Sequence, residues 1–295
     1  KQNPEAAQKA VQRLLDQEVV AILGPMTSSM AMVVHPQINS SEVVMISPTV
    51  KTTQLSGLDD NFFRTTVALD RNARKMAAHV VEELGVRKFA VIFDQSNRAF
   101  TETWRDVFVQ ELTARGGEAV FVEGLDEKGE VHFLPIAKRI VASDAKGVLL
   151  LSNAIDTALM AQQIRKLGSE LPLFASEWAF TTDLIGFGGR AVNGMTSFHS
   201  INVESQNPRY LTFKEKFAKR YGYAPSFATI LAYDAADYLF LGLEQQSTAT
   251  DLKKALLKVS SFPGLQSTIN VDPSGDVDRQ LFLTVVGEGK FKVVE

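Results

Sequence analysis

Short apolar runs alternate with longer stretches of helical periodicity along most of this chain. Val19 to Leu23 and Val43 to Ile46 are rich in β-branched residues, bounded by turn formers and too short for helices, so each reads as a buried parallel strand. The same pattern predicts strands at Phe89 to Phe93, Ala119 to Val122, Val148 to Leu151, Leu173 to Ala175 and Met195 to Ser200. Between them, apolar residues recur at helical spacing. Asn3 caps a first helix with Pro4 at its first position, and Ala7, Val11, Leu14 and Leu15 form its apolar stripe as far as Gln17. Further helices are expected from Met30 to Gln37, Asp70 to Gly85, Phe100 to Thr113, Phe133 to Ala142 and Ala154 to Leu167, with a short one near Thr182. This alternation predicts an α/β protein with parallel sheets wound by right-handed crossovers.

Beyond Asn207 the pattern changes. Tyr210 to Tyr221, Phe227 to Gln245 and Asp251 to Val259 read as consecutive helices, and the aromatic segment Tyr233 to Phe240 is expected in the core. Pro263-Gly264 breaks the helical run, and the remainder reads as two strands around Asp272-Pro273-Ser274-Gly275. Two strands lie ahead of Thr65 and four or five between Phe89 and Ser200, which implies two sheets and two lobes. The chain is expected to pass between them near Thr65 to Ala68, near Ile201 to Gln206 and near Gln266 to Asp272. One lobe is then 1–66 plus 204–266, the other 67–203 plus 267–295.

Composition narrows the function classes. With 295 residues, 45% of them hydrophobic, the chain can bury a core in each of two lobes. The 31 basic and 34 acidic residues are well mixed, and the net charge of -3 offers no basic field for nucleic acid. The absence of cysteine excludes thiol catalysis, zinc-thiolate sites and disulfides. The apolar runs are broken by charge short of a membrane span, so a soluble chain is expected, with no signal peptide among the given residues.

Candidate chemistry lies at strand ends. In open parallel sheets ligands bind beyond the carboxyl ends of the strands, where backbone N–H groups point outward. Thr27, Ser28 and Ser29 follow the break at Gly24-Pro25 and precede a helix, a place suited to a small anion such as a carboxylate. Capping of that helix by Thr27 or Ser28 is the alternative. Gly186-Phe187-Gly188-Gly189-Arg190-Ala191 fits a loose dinucleotide pattern, but it follows a helix and precedes a strand, so it reads as a turn. His35, His79, His132 and His199 show no metal-ligand spacing. Asp94, at a strand end, has no nearby His or Ser to complete a nucleophile arrangement, and Trp104 reads as helix packing.

A resemblance rests on several short segments in order. Asn3-Pro4-Glu5-Ala6-Ala7, Gly24-Pro25 with Ser28, Ile46-Ser47-Pro48, Phe63-Arg64-Thr65, Tyr221-Gly222-Tyr223-Ala224-Pro225 and Tyr233-Asp234-Ala235 are similar to the substrate-binding proteins of branched-chain amino acid type ABC transporters. The resemblance runs from the first residue to about Asp276. It implies a type I periplasmic binding fold, with two Rossmann-like lobes joined by three crossovers and closing over a small ligand. It also implies that the family's first strand, helix and second strand would precede Lys1. Carried over residue by residue, Ser28 matches the serine that holds the ligand's α-carboxylate, Thr49 matches a position giving a backbone contact, and Glu177 matches the acid that pairs the α-ammonium. Thr27 and the backbone from Ser47 complete the first half of the implied site, and Trp178 is expected to wall the second.

Three positions depart from the family pattern: Lys51 replaces a threonine, Arg98 an aromatic, and Asn153 stands near another common aromatic. Two cations there suit a ligand with a second acidic group, or else their apolar stems cover the cleft rim. The expected function is a non-enzymatic, periplasmic or extracellular receptor that takes an amino acid or related carboxylate, needs no cofactor, and delivers its ligand to an ABC membrane permease. A sensory ectodomain of the same fold is the alternative. A doubly wound enzyme is a further one, disfavoured by the lack of a serine elbow and of a proper dinucleotide loop.

Overall fold

The computed structural model describes residues 2–125, 132–245 and 252–294. The first part of the chain forms α1 (Pro4–Asp16), β1 (Ala21–Leu23), α2 (Ser28–Asn39), β2 (Val44–Ser47), β3 (Phe62–Arg64), α3 (Leu69–Ala78), β4 (Lys88–Asp94), α4 (Arg98–Ala114) and β5 (Glu118–Leu125). Then come α5 (Phe133–Ala142), β6 (Gly147–Leu151), α6 (Ala154–Lys166), β7 (Leu173–Ala175), α7 (Thr182–Gly188), β8 (Thr196–His199), α8 (Pro208–Tyr221) and α9 (Phe227–Gln245). The last elements are α10 (Leu252–Lys258), β9 (Ser261–Pro263), β10 (Thr268–Val271), β11 (Val277–Asp278), β12 (Phe282–Gly287) and β13 (Lys290–Val293). Asn3 caps α1 as its sequence predicts, accepting the Ala6 amide at 3.0 Å. Asp251, the expected start of α10, lies outside the described residues.

The chain divides into two compact units, 1–68 with 205–280 and 69–204 with 281–295. The first unit holds a parallel sheet of order β1-β2-β3 and an antiparallel sheet of order β11-β10-β9. The second holds one seven-stranded sheet, β13-β12-β8-β7-β6-β4-β5, in which β4 to β8 are mutually parallel, β12 is antiparallel to β8, and β13 is antiparallel to β12.

The sheets are not all parallel, and the tail holds four strands after Pro263 rather than two. Parallel strands are buried on both faces and read as apolar runs, as β6 does, whereas β10 alternates exposed and buried positions in the way of a strand with one wet face. The third passage between units falls after Gln280, not near 266–272, because the pairing of β10 with β9 and β11 holds 268–278 in the first unit.

Alternate residues of each central strand feed opposite cores. In β4, Ala90 and Ile92 join a cluster with α5 and α6, while Phe89, Val91 and Phe93 join one with α3 and α4 that includes the buried Trp104. In β2, Val44 and Ile46 face a cluster containing Tyr238, and Met45 faces one against α1 and α2. The aromatic segment of α9 is only partly core. Tyr238 is buried, but Tyr233 and Phe240 share another face of the helix and are exposed.

Candidate functional site

The first unit's candidates surround the loops that follow β1 and β2. Thr27 occupies the N-cap position of α2 without a side-chain cap bond, and its hydroxyl lies 3.1 Å from Gln2 Oε1. Ser28 is buried, and its Oγ accepts the amides of Lys51 at 3.2 Å and Thr52 at 3.3 Å. The structure therefore replaces the capping expectation with a bridge from α2 to the loop after β2. With both of those bonds accepted, the Ser28 O–H proton is the group left to donate, as a carboxylate site requires.

Ser47 and Thr49 act through structure. Ser47 Oγ donates to the Pro25 carbonyl at 2.8 Å and accepts the amides of Thr49 and Val50 at 3.3 and 3.0 Å, which uses the whole hydroxyl. Thr49 Oγ1 donates to the Met26 carbonyl at 2.6 Å. Together they staple the loop after β2 to the loop after β1, which leaves the backbone of both residues and the accepting lone pairs of Thr49 Oγ1 for any ligand contact. Lys51 follows in the same loop and is only 4% exposed, so its stem does not cover a rim.

The second unit's candidates follow β4, β6 and β7. Arg98 opens α4 with its side chain 58% exposed, 3.3 Å from the Gln95 carbonyl and 4.0 Å from Glu102. Asn153 is the N-cap of α6: Oδ1 accepts the amides of Ile155 and Asp156 at 3.0 and 3.1 Å, and Nδ2 donates to Asp156 at 2.6 Å. Glu177 opens a single helical turn directly after β7 and is 3% exposed. Trp178 beside it is half-buried and stands edge-on to Phe100, with ring centroids 6.0 Å apart.

Sequence reasoning passed over two buried hydroxyls at strand ends. Ser152, after β6, shares a 2.8 Å hydrogen bond with Thr157, and Ser176, after β7, has a buried Oγ without a hydrogen-bond partner among the described residues. The signal that marked Ser47, a hydroxyl closing an apolar run, was present at both. The other candidates resolve into packing. His35 lies 2.7 Å from Asp60 and His79 2.8 Å from Glu83, and no group of three metal-binding side chains occurs among the described residues. Asp94 accepts the Ser96 amide at 2.6 Å. The glycine segment at Gly186 is the end of α7 and the turn beyond it.

What the arrangement offers is charge at strand ends. Lys51 after β2 and Glu177 after β7 are buried side chains of opposite sign.

Comparison with known proteins supplies the setting. The chain is 24% identical over 284 residues to the Leu/Ile/Val-binding protein BraC3 of Rhizobium johnstonii, covering 95% of this chain and 76% of that one. Its structure is similar to a leucine binding protein, LivK, of Thermotoga maritima, with a TM-score of 0.90 and 22% identity over 99% of this chain and 84% of that one. A solute binding protein of an ABC transporter from R. palustris, in complex with benzoate, matches with a TM-score of 0.88 and 18% identity over 99% and 82%. At these identities the structural likeness is one of fold, the type I periplasmic binding fold that the sequence resemblance implies. The sequence itself matches the periplasmic binding protein family over residues 1–290, and the chain belongs to that family.

Proposed function

We propose that this protein is an extracytoplasmic receptor that captures an amino acid or related small carboxylate, leaves it chemically unchanged, and hands it to an ABC permease. The observation that carries this reading is the pair of buried charges at strand ends, Lys51 in one unit and Glu177 in the other. Ser28 donates its O–H to the ligand carboxylate, Lys51 balances that charge, and Glu177 receives the ammonium group. The family supports the receptor role and the location outside the cytoplasm. No helix among the described residues is long and apolar enough to cross a membrane.

A second reading is favoured by Lys51. A buried cation beside Ser28 suits a ligand whose only charge is a carboxylate, and the R. palustris neighbour is in complex with benzoate. A thermal-shift screen against amino acids, dicarboxylates and aromatic acids separates the two. A ligand at a hundred times its Kd adds about 2.7 kcal/mol of stability. If an amino acid raises the melting temperature, Glu177→Ala should weaken it about 10- to 100-fold, the cost of one charge-assisted bond. If only acids without an amine bind, Glu177 loses its role and Lys51 becomes the centre of the site. Turnover of any of these compounds would overturn the receptor reading.

A further inference from the structure

A cleft of about 560 Å³ opens on the second unit, away from the candidate ligand residues. Gln162, Arg165 and Lys166 line it from the last turns of α6, Glu170 from the loop that follows, and Arg190 and Asn193 from the turn beyond α7. Asn153 caps the opposite end of α6, whose 13 residues span about 20 Å. The cleft therefore lies toward the amino ends of the strands, whereas Asn153 and Glu177 follow their carboxyl ends.

Its charge is unbalanced, with three cations against one carboxylate. Arg165 is fixed: its Nη1 donates to the carbonyls of Ser169 at 2.8 Å and Leu171 at 2.9 Å. The rest of its guanidinium fork, three further N–H groups, has no partner among the described residues. Burial pushes the Arg165 pKa below the ordinary arginine value, with Glu170 opposing, so a nearby anion would relieve a partly desolvated cation. Lys166 and Arg190 are exposed and have no ion pair among the described residues. Gln162 donates one amide N–H to the Phe187 carbonyl at 2.5 Å, so its second N–H and the Asn193 amide are the neutral donors of the cleft.

We propose that this cleft is a second binding site, specific for small anions carrying two or more negative charges, such as a tricarboxylate or phosphate. Arg165 presents a rigid fork to one anionic group, and Lys166 and Arg190 close on the others. Glu170 repels any anion that meets only part of the cleft, which sets the requirement for multiple charge. The site is independent of the receptor reading.

The test titrates the full chain with citrate and, separately, with inorganic phosphate at fixed ionic strength, followed by calorimetry and by amide NMR shifts. The double variant Lys166→Gln/Arg190→Gln changes two exposed side chains, and its unchanged melting temperature verifies the fold. At least one of the two anions should bind saturably at submillimolar Kd, shift the amides of 162–170 and 189–193, and bind at least tenfold more weakly to the double variant. Absence of saturable binding by both anions overturns the proposal. So does equal affinity in both proteins, or a set of shifts confined to 27–51 and 176–178.

Discussion

Arg279 and Asp234 make the most deeply buried ion pair described, 2.8 Å apart with both side chains at or below 1% exposure. Arg279 Nη1 also donates to the Thr65 carbonyl at 2.9 Å, and Asp234 Oδ1 accepts the Leu265 amide at 2.8 Å. The pair thus ties α9 to the two segments just ahead of the crossings at Ala68 and Gln280. Such a pair offsets its desolvation only while both partners remain. Asp234→Ala should therefore cost about 3–5 kcal/mol in urea unfolding, whereas Asp234→Leu combined with Arg279→Met should lose much less. A double-variant loss equal to the sum of the Asp234→Leu and Arg279→Met single losses would mean that the two charges are not energetically coupled. Gly275 is a second critical residue. It has φ +83°, and an added Cβ would stand 2.6 Å from the ring of buried Phe63. Gly275→Ala combines backbone strain with overpacking, so a loss of about 2–4 kcal/mol is expected in the same measurement.

At the scale of elements, α3 and α4 are joined by charge as well as by packing. Glu111 on α4 is held by Arg115 one turn on and by Arg74 from α3, and Arg115 reaches Glu82 at 2.9 Å. The hydrogen bond from Arg115, with the charge of Arg74, holds the Glu111 carboxyl below its ordinary value of 4.5 against opposing desolvation. A carboxylate depressed in the folded state contributes stability that is present above its unfolded pKa and lost as pH falls through the folded one. Glu111→Gln should therefore lower the urea midpoint near neutral pH and flatten its decline below about pH 4.5, so that the two proteins converge in acid. Parallel curves at all pH values would exclude this linkage.

The same elements show what was legible in advance. Strands such as β4 and β6, buried on both faces, announce themselves as apolar runs, and so do the strand ends where Ser28, Lys51 and Glu177 sit. The short strands β9 to β11 carry no such run, because their stability comes from pairing with one another across a turn. The cap role of Asn153 was readable from Asn153 followed by Asp156, yet the resemblance drew it toward a ligand contact. The pairing of Arg279 with Asp234 had no sequence signal, since only the finished fold brings α9 against the end of β11.

At the scale of the whole molecule, each unit buries its own clusters, so each can hold a stability of its own. Under the receptor reading the ligand couples them, because a ligand shifts an equilibrium only through contacts that differ between the states. Hydrogen exchange reads the two units separately in one experiment. With the ligand found by thermal shift at a hundred times its Kd, exchange should slow by up to about a hundredfold, the equivalent of 2.7 kcal/mol, in segments of both units. The slowed segments should include Ser28 to Thr52 in the first unit and Leu173 to Ala179 in the second. In Glu177→Ala, protection should persist near Ser28 and vanish near Ala175. Protection confined to the first unit in the unaltered protein would instead assign recognition to Ser28 and Lys51 alone, and the second unit would then contribute no binding energy.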